Sequence, residues 1–273
     1  LSKSYTRLSS SILERCKLDI RSISTRRHKL DMQLPYRLIS IASIPLVLHV
    51  SLFGCSKITE VTQYGGMRDT LRKGNTQPRV TFDEITTLPN AFAVGALPEL
   101  NGEITIFDGN VWIATTDSES ATTSRPFGNH DSATLLTVAY VEDWQEFTLP
   151  AGTPLELAIE HVAKANADFN TDIPFPFFII GDASEFHMHV INGFCPVASP
   201  GLAEEFQPWK LSVEKQTPIT VIGFFGKNQD GVMTHHGSNI HIHGLLDIDG
   251  ATATGHLDSV EFTNGAKLYL PDL

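Results

Sequence analysis

The chain has 273 residues, of which 41% are hydrophobic and 19% are charged, so it can bury the core of one large domain or of two small ones. The formal net charge is −11, and residues 56–273 alone hold 11 basic and 28 acidic side chains, a net charge of −17. A surface this acidic argues against nucleic acid and against anionic lipid as partners. It does not exclude a small anionic substrate, because a bound dication can dominate the local field.

Residues 1–31 are basic, rich in serine and arginine, and without apolar periodicity. Eight lysine and arginine residues stand here against three acidic ones. The segment is predicted to be disordered or to precede the true start of translation.

Residues 32–55 have the order of a secretory signal. Arg37 supplies one cation before an apolar run from Leu38 to Phe53, which is shorter than the roughly 20 residues that a spanning helix needs. The run ends at Gly54-Cys55, which resembles the processing site of a bacterial lipoprotein with Cys55 as the lipidated residue. The alternative is a plain signal anchor. The sequence therefore predicts an exported protein, periplasmic or held at the outer membrane, that meets the membrane only through its lipid anchor.

The folded domain is predicted to span residues 80–273, after a polar, glycine-containing stretch at 56–79 that is typical of a flexible tether. Most of the domain alternates apolar and polar residues as strands do. One helix is predicted from Pro154, where Thr153 and Glu156 have the spacing of a capping box. These patterns predict an α+β fold with predominantly mixed or antiparallel β-sheets and few helices.

Turn dipeptides divide the domain into short strands. Asn101-Gly102 and Asp108-Gly109 predict hairpins within residues 92–114. Further strands are predicted at 135–140, 144–149, 175–180, 186–191, 210–213, 219–225, 260–262 and 267–271.

The segment from Asn239 to Leu246 carries two histidines at alternate positions of a predicted strand. Side chains two residues apart in a strand point to the same face, so His241 and His243 lie side by side. A turn at Asp249-Gly250 and a return strand can bring His256 back beside them. Three neutral imidazoles with a fourth position open describe a catalytic zinc site better than a closed structural one. The alternative is a set of surface histidines on an edge strand and in a turn.

These histidines also carry a resemblance to a known family. Residues 241–246, His-Ile-His-Gly-Leu-Leu, and residues 255–258, Gly-His-Leu-Asp, resemble the metal-binding segment of the α-acetolactate decarboxylase family. That segment reads roughly His-Leu-His-Phe and then Gly-Gly-His-Val-Leu-Asp. Upstream, residues 94–112 resemble the family's Gly-Thr-Phe-x-x-Leu-Asp-Gly-Glu segment. The resemblance covers residues 80–271.

The resemblance implies a zinc-dependent carbon–carbon lyase that converts a 2-hydroxy-3-oxo acid, such as 2-acetolactate, to acetoin and CO₂. The family's three zinc ligands match His241, His243 and His256. Zinc as a Lewis acid would stabilise the enediolate left by loss of CO₂. Glu103 matches the family's active-site glutamate and is expected to be catalytic. The family also suggests a homodimer.

Two departures from the family pattern concern the substrate. The family has threonine where this chain has Ala96, and its active-site arginine aligns with residues 177–182, which contain no arginine. A substrate carboxylate would therefore lose a bidentate partner.

Other polar side chains are candidates for supporting roles. Asp258 could orient a ligand histidine, or could simply flank its strand. His187, His189 and His235 could form a second metal position, or favour copper over zinc. His236, or its neighbour His235, could donate a proton near neutral pH. For each of these histidines the alternative is a solvated or hydrogen-bonded ring.

Three functions are therefore considered. The first is the zinc-dependent decarboxylase acting on a small hydroxy-keto acid. The second is a non-catalytic periplasmic lipoprotein that binds zinc or copper on the same scaffold. The third is a different metal-dependent enzyme.

Overall fold

The computed structural model describes residues 60–85, 89–116, 122–125, 128, 131–166, 169–195, 201, 203 and 207–273. The predictions for residues 1–55, including the lipidation of Cys55, lie outside this part of the chain. Among the described residues, no helix combines the length and the apolar character needed to cross a lipid bilayer.

The first sheet is antiparallel and has six strands. In chain order these are β1 (Thr62–Tyr64), β3 (Ala91–Ala96), β4 (Glu103–Phe107), β5 (Asn110–Thr116), β6 (Thr122–Arg125) and β8 (Leu135–Tyr140). Across the sheet they run β1–β8–β3–β4–β5–β6, and a separate pair is formed by β2 (Val80–Thr81) and β7 (Ser132–Ala133). Asp108 and Gly109 have φ angles of 50° and 73°, the left-handed conformation of a tight hairpin turn. The turn predicted between β4 and β5 is therefore confirmed.

The second sheet is also antiparallel. Its seven strands are β9 (Trp144–Thr148), β10 (Phe175–Val190), β11 (Trp209–Val213), β12 (Thr217–Phe225), β13 (Ile240–Ile248), β14 (Ala251–Phe262) and β15 (Lys267–Pro271). The single long β10 replaces the two strands predicted at 175–180 and 186–191. Its first half pairs with β12 and β15, and its second half with β11 and β14.

Strand β13 closes this sheet on itself, because it pairs with both β12 and β14. The strands β10, β12, β13 and β14 thus form a closed ring of hydrogen-bonded neighbours, as in a small barrel. A mostly antiparallel β-structure with few helices confirms the predicted fold class.

In the described part of the chain there are three α-helices: α1 (Met67–Lys73), α2 (Phe82–Ile85) and α3 (Leu155–Ala165). The predicted helix α3 is confirmed, but its capping box is wrong, because Pro154 is the N-cap residue and no side chain caps the helix. Glu156 instead accepts hydrogen bonds from the backbone N–H and the side-chain amide of Asn239, at 3.1 Å and 2.5 Å. The first turn of α3 is thereby tied to the residue that precedes β13.

The stretch predicted as a flexible tether, 56–79, is folded where the structure describes it, and that prediction is wrong for residues 60–79. Strand β1 pairs with β8, and the backbone N–H of buried Met67 donates to the carbonyl of Val232 at 3.0 Å. The glycines that suggested a linker make a turn instead, since Gly65 has a φ of 69° between β1 and α1. The folded domain therefore begins before residue 80.

The two sheets pack against each other through aromatic side chains. The ring of Phe92, in β3, lies 4.7 Å from that of Trp144 and 6.1 Å from that of Phe178, in β10. Buried apolar side chains from both sheets surround them, among them Val94, Ala139, Ile222 and Phe224. This packing brings β4 into contact with β14, so side chains of the first sheet reach the histidine strands of the second.

Candidate metal centre

The hairpin of β13 and β14 positions the three predicted ligands. Its turn residues Asp249 and Gly250 have φ angles of 53° and 86°, so the predicted Asp-Gly turn is confirmed. The register aligns His243 directly with His256, and His241 lies two residues earlier in β13 on the same face. Local turn chemistry and strand alternation thus place three imidazoles together.

The donor atoms of His241, His243 and His256 all lie within 4.8 Å of one another. The side chains are buried, with exposed fractions of 4%, 0% and 7%. Their ring centroids are 5.2 to 5.7 Å apart. Within the described ranges, this is the only group of three or more histidine, cysteine or carboxylate side chains arranged closely enough to hold a metal ion.

Burial keeps these imidazoles neutral. It lowers the pKa of His243 to about 3, and it lowers the pKa of His241 and His256 well below the usual value. The neighbouring histidines depress each pKa further. His241 Nδ1 and His243 Nε2 are buried and have no hydrogen-bond partner. Neutral nitrogens with unused lone pairs are what a zinc ion requires, and a bound ion would satisfy atoms that are otherwise costly to bury.

Glu103 reaches this group from β4, in the other sheet. Its Oε2 atom lies 3.7 Å from His243 Nε2, and its Oε1 atom accepts a hydrogen bond of 3.4 Å from the backbone N–H of Ile191. Burial raises the pKa of Glu103 to about 7, although the electrostatic interaction with His189 opposes the rise. In the metal-free chain this carboxyl group is therefore partly protonated near neutral pH.

Two threonines beside His243 were not predicted from the sequence to be functional residues. Thr105 Oγ1 lies 2.9 Å from His243 Nδ1 and 2.7 Å from Thr254 Oγ1, and all three side chains are fully buried. One signal could have indicated Thr105: it follows Glu103 by two residues in a strand and therefore shares its face.

Asp258 holds His189, not one of the three clustered histidines. Its carboxylate oxygens lie 3.0 Å and 3.1 Å from His189 Nδ1. The pairing of β10 with β14 skips Asp258, which leaves it as a bulge residue whose side chain can turn toward His189. His189 is itself aligned with His256, at 4.9 Å between ring centroids, and is 1% exposed.

The adjacent residues His235 and His236 have different surroundings. The ring of His235 lies 5.0 Å from that of His256 and 6.1 Å from that of His241, and burial lowers its pKa to about 4. The side chain of His236 is 82% exposed, and its Nδ1 atom lies 2.7 Å from Asp230 Oδ2. The structure therefore brings His235 to the cluster and leaves His236, the predicted proton donor, at the surface.

The second metal position predicted at His187, His189 and His235 is not formed as such a group among the described residues. The side chain of His187 is 40% exposed, and its two ring nitrogens bind Ser212 and Glu185 at 2.9 Å and 3.0 Å. Only His189 and His235 of this set contact the clustered histidines.

No protein-family model matches the sequence, and no curated protein matches it either. The structure is nevertheless similar to solved ones. The α-acetolactate decarboxylase of Bacillus subtilis strain 168 gives a TM-score of 0.58 at 15% identity, over 78% of this chain and 86% of that one.

Two further solved structures are similar to this chain to the same extent. The acetolactate decarboxylase of Bacillus subtilis subspecies spizizenii gives a TM-score of 0.57 at 15% identity, over 78% of this chain and 86% of that one. A protein of unknown function from Staphylococcus aureus, described as similar to α-acetolactate decarboxylase, gives 0.57 at 12% identity, over 78% and 85% of the two chains. At such identities the likeness shows the fold alone: the chain has the fold of the acetolactate decarboxylases.

Proposed function

We propose that this chain is a zinc-dependent carboxy-lyase that converts a 2-hydroxy-3-oxo acid, such as 2-acetolactate, to acetoin and CO₂. One observation carries the proposal. Three buried, neutral imidazoles, two of which have a buried nitrogen without a hydrogen-bond partner, lie beside a buried carboxyl group whose pKa is raised to about 7, on an acetolactate-decarboxylase-like fold.

The ion would be held by His241, His243 and His256, which offer one nitrogen each. When bound, zinc acts as a Lewis acid that stabilises negative charge developing on substrate oxygens. The burial of all three rings keeps bulk water away from the reacting groups, which strengthens the electrostatic interactions there.

Glu103 is proposed to supply the proton. Loss of CO₂ leaves an electron pair that is delocalised between the former α-carbon and the neighbouring carbonyl oxygen. One proton must then reach carbon to give the hydroxyketone. In the metal-free chain burial raises the pKa of this carboxyl group to about 7, so near neutral pH it can hold the proton that is to be transferred.

His189 is proposed to contact a substrate oxygen in place of the missing family arginine. Its Nδ1 atom is held by Asp258, so Nε2 is the nitrogen left for a ligand. Its contact with the ring of His256 keeps it beside the metal ligands.

The non-catalytic alternative also has an observation in its favour. His189 and His235 add two imidazoles around His256, and an environment this rich in nitrogen suits copper as well as zinc. In this case the protein would bind zinc or copper without turning over any hydroxy-keto acid.

The exported, lipid-anchored location is proposed from the pattern of residues 32–55 alone, with Cys55 as the lipidated residue. A homodimer is proposed from the family resemblance. Fractionation of the producing cell, mass spectrometry of the N-terminal peptide and light scattering of the purified protein would test these points.

The decisive experiment measures metal content and acetoin formation on the same preparation of the full chain. We expect about one zinc per chain, and acetoin formation from 2-acetolactate that is lost on chelation and restored by zinc. A full complement of zinc or copper without turnover of any 2-hydroxy-3-oxo acid would favour the non-catalytic alternative. A chain that binds no divalent metal would contradict both.

A further inference from the structure

The hydrogen bonds around His243 determine which ring nitrogen carries its proton. Thr254 Oγ1 lies 2.7 Å from the carbonyl oxygen of Gly244, and the Thr254 hydroxyl is the donor because a carbonyl only accepts. A hydroxyl has one proton, so Thr105 is the donor in its 2.7 Å contact with Thr254 Oγ1. Thr105 Oγ1 can then only accept from the remaining neighbour, His243 Nδ1, which is 2.9 Å away.

His243 consequently bears its proton on Nδ1 and a lone pair on Nε2. That nitrogen is the buried atom without a hydrogen-bond partner, 3.7 Å from Glu103 Oε2. In His241 the unpartnered buried nitrogen is Nδ1 instead. The two neighbouring histidines therefore offer different nitrogens to the site.

We infer that Thr105 and Thr254 are positioning residues of the metal centre, whose hydroxyl chain holds His243 as its Nδ1–H tautomer, so that His243 binds the metal through Nε2 and His241 through Nδ1. The inference rests on the proposed function only in taking these histidines as metal ligands. It does not depend on the reaction that the metal serves.

The hydroxyl chain connects the two sheets. Thr105 belongs to β4 of the first sheet, whereas His243 and Thr254 belong to β13 and β14 of the second. All three side chains are fully buried, so bulk water does not compete for their hydrogen bonds. The tautomer of a ligand in one sheet is thus set by a side chain of the other.

The test measures zinc affinity and the His243 tautomer in the full chain. Thr105→Val keeps the shape of the side chain but removes the acceptor, and we expect zinc affinity to fall about 10–100-fold. Thr105→Ser restores the hydroxyl and should recover affinity close to that of the wild type. Thr254→Val should lower affinity less, because Thr105 keeps an oxygen that can accept from Nδ1.

Thr137→Val is the matched control. Thr137 is also fully buried in the first sheet, and its hydroxyl donates to Gln63, away from the histidines. Thr137→Val loses a buried threonine hydrogen bond without touching the metal centre. Its free energy of unfolding should fall about as much as that of Thr105→Val, and its zinc affinity should stay at the wild-type level. Affinity is measured by competition with a chromophoric chelator, and stability by urea unfolding.

A spectroscopic readout is independent of metal and of activity. In the metal-free chain labelled with ¹⁵N-histidine, long-range ¹H–¹⁵N spectra should show His243 protonated on Nδ1, with its signals identified by their loss in His243→Gln. Thr105→Val should shift this ring toward the other tautomer.

Three results would overturn the inference: a wild-type His243 protonated on Nε2, unchanged zinc affinity in Thr105→Val, or an equal loss of affinity in Thr137→Val. A different outcome separates the two proposals: the wild type forms no acetoin, but Thr105→Val still weakens zinc binding. That outcome would contradict the proposed reaction and support this inference.

Discussion

Two groups of histidines in this chain differ in what their ring nitrogens contact. The exposed residues His187 and His236 each have a carboxylate partner, Glu185 or Asp230, at 3.0 Å or 2.7 Å. The clustered residues His241, His243 and His256 are buried beside one another, and two of them keep a nitrogen without any partner. The residue type is the same in both groups, and only the surroundings differ.

This difference indicates which histidines can bind a metal ion. A histidine whose nitrogens are both hydrogen-bonded to protein or water gains little from a metal ion. A buried nitrogen without a partner is unfavourable in the empty site, and a metal ion relieves that penalty. The contrast therefore assigns metal binding to the buried group, and substitutions in each group test that assignment.

The largest effect is expected from His243→Ala. It removes the central ligand, so we expect loss of bound zinc and acetoin formation below detection. His236→Ala is the control. It removes an exposed imidazole that is hydrogen-bonded to Asp230 at the surface, so neither zinc content nor acetoin formation should change. Metal analysis and a colorimetric acetoin assay measure both. Equal zinc content in His243→Ala and the wild type would remove the distinction between the two groups.

Glu103→Gln should slow turnover while leaving the metal in place. The amide cannot deliver a proton, and loss of a general acid lowers kcat by about 10²–10⁴-fold. Zinc content should stay at the wild-type level because none of the three ligands is changed. Glu99→Gln is the matched control, because Glu99 is an exposed carboxylate just upstream that binds Thr76 and Gln77. Unchanged kcat in Glu103→Gln would remove its proposed role as proton donor.

The buried histidines should also make the metal-free protein sensitive to acid. The pKa values of His235, His241, His243 and His256 are lowered, so below about pH 6.5 the unfolded chain binds protons there that the folded chain does not. The contribution of these four histidines to the free energy of unfolding is therefore fully present above about pH 6.5 and is lost as the pH falls. Glu103 acts in the opposite sense, because its raised pKa of about 7 lets the folded state hold one extra proton between about pH 4.5 and pH 7.

Near pH 5.5 the four histidines leave the unfolded chain with more bound protons than the folded chain and outnumber the opposing Glu103, so the free energy of unfolding should rise with pH, with a positive slope. Urea unfolding of the metal-free chain between pH 5 and pH 7 measures this slope. His243→Gln should reduce it by about one proton. A flat profile over this range would mean that the clustered imidazoles take up protons in the folded state.

The smallest effect is expected from the double variant His187→Ala/His236→Ala. Both side chains are partly or mostly exposed, and exposed ion pairs add little to stability. Zinc affinity, acetoin formation and the urea midpoint should all match the wild type. A loss of bound metal would show that the exposed histidines take part in a second site.

The histidine hairpin was accessible from the sequence because its determinants are local. Asp249-Gly250 sets a tight turn, that turn sets the register, and the two-residue period of a strand puts His241 and His243 on one face. Glu103 was predicted to be catalytic because residues 94–112 resemble a short motif of the acetolactate decarboxylases. Turn residues and alternation act over a few positions, so the hairpin and its three imidazoles could be predicted from the residues alone.

Contacts between distant segments were decided only by the tertiary structure. Thr105 and His243 are 138 positions apart and meet because β4 of one sheet packs on β14, the partner strand of β13, in the other. Asp258 turns to His189 through a bulge, and His235, not His236, joins the buried rings. The alternation of residues within a strand cannot predict such long-range contacts. They depend on how the two sheets pack and on which side chains that packing buries. The sequence determined which groups could bind a metal, and the packing decided which of their nitrogens were left without a partner.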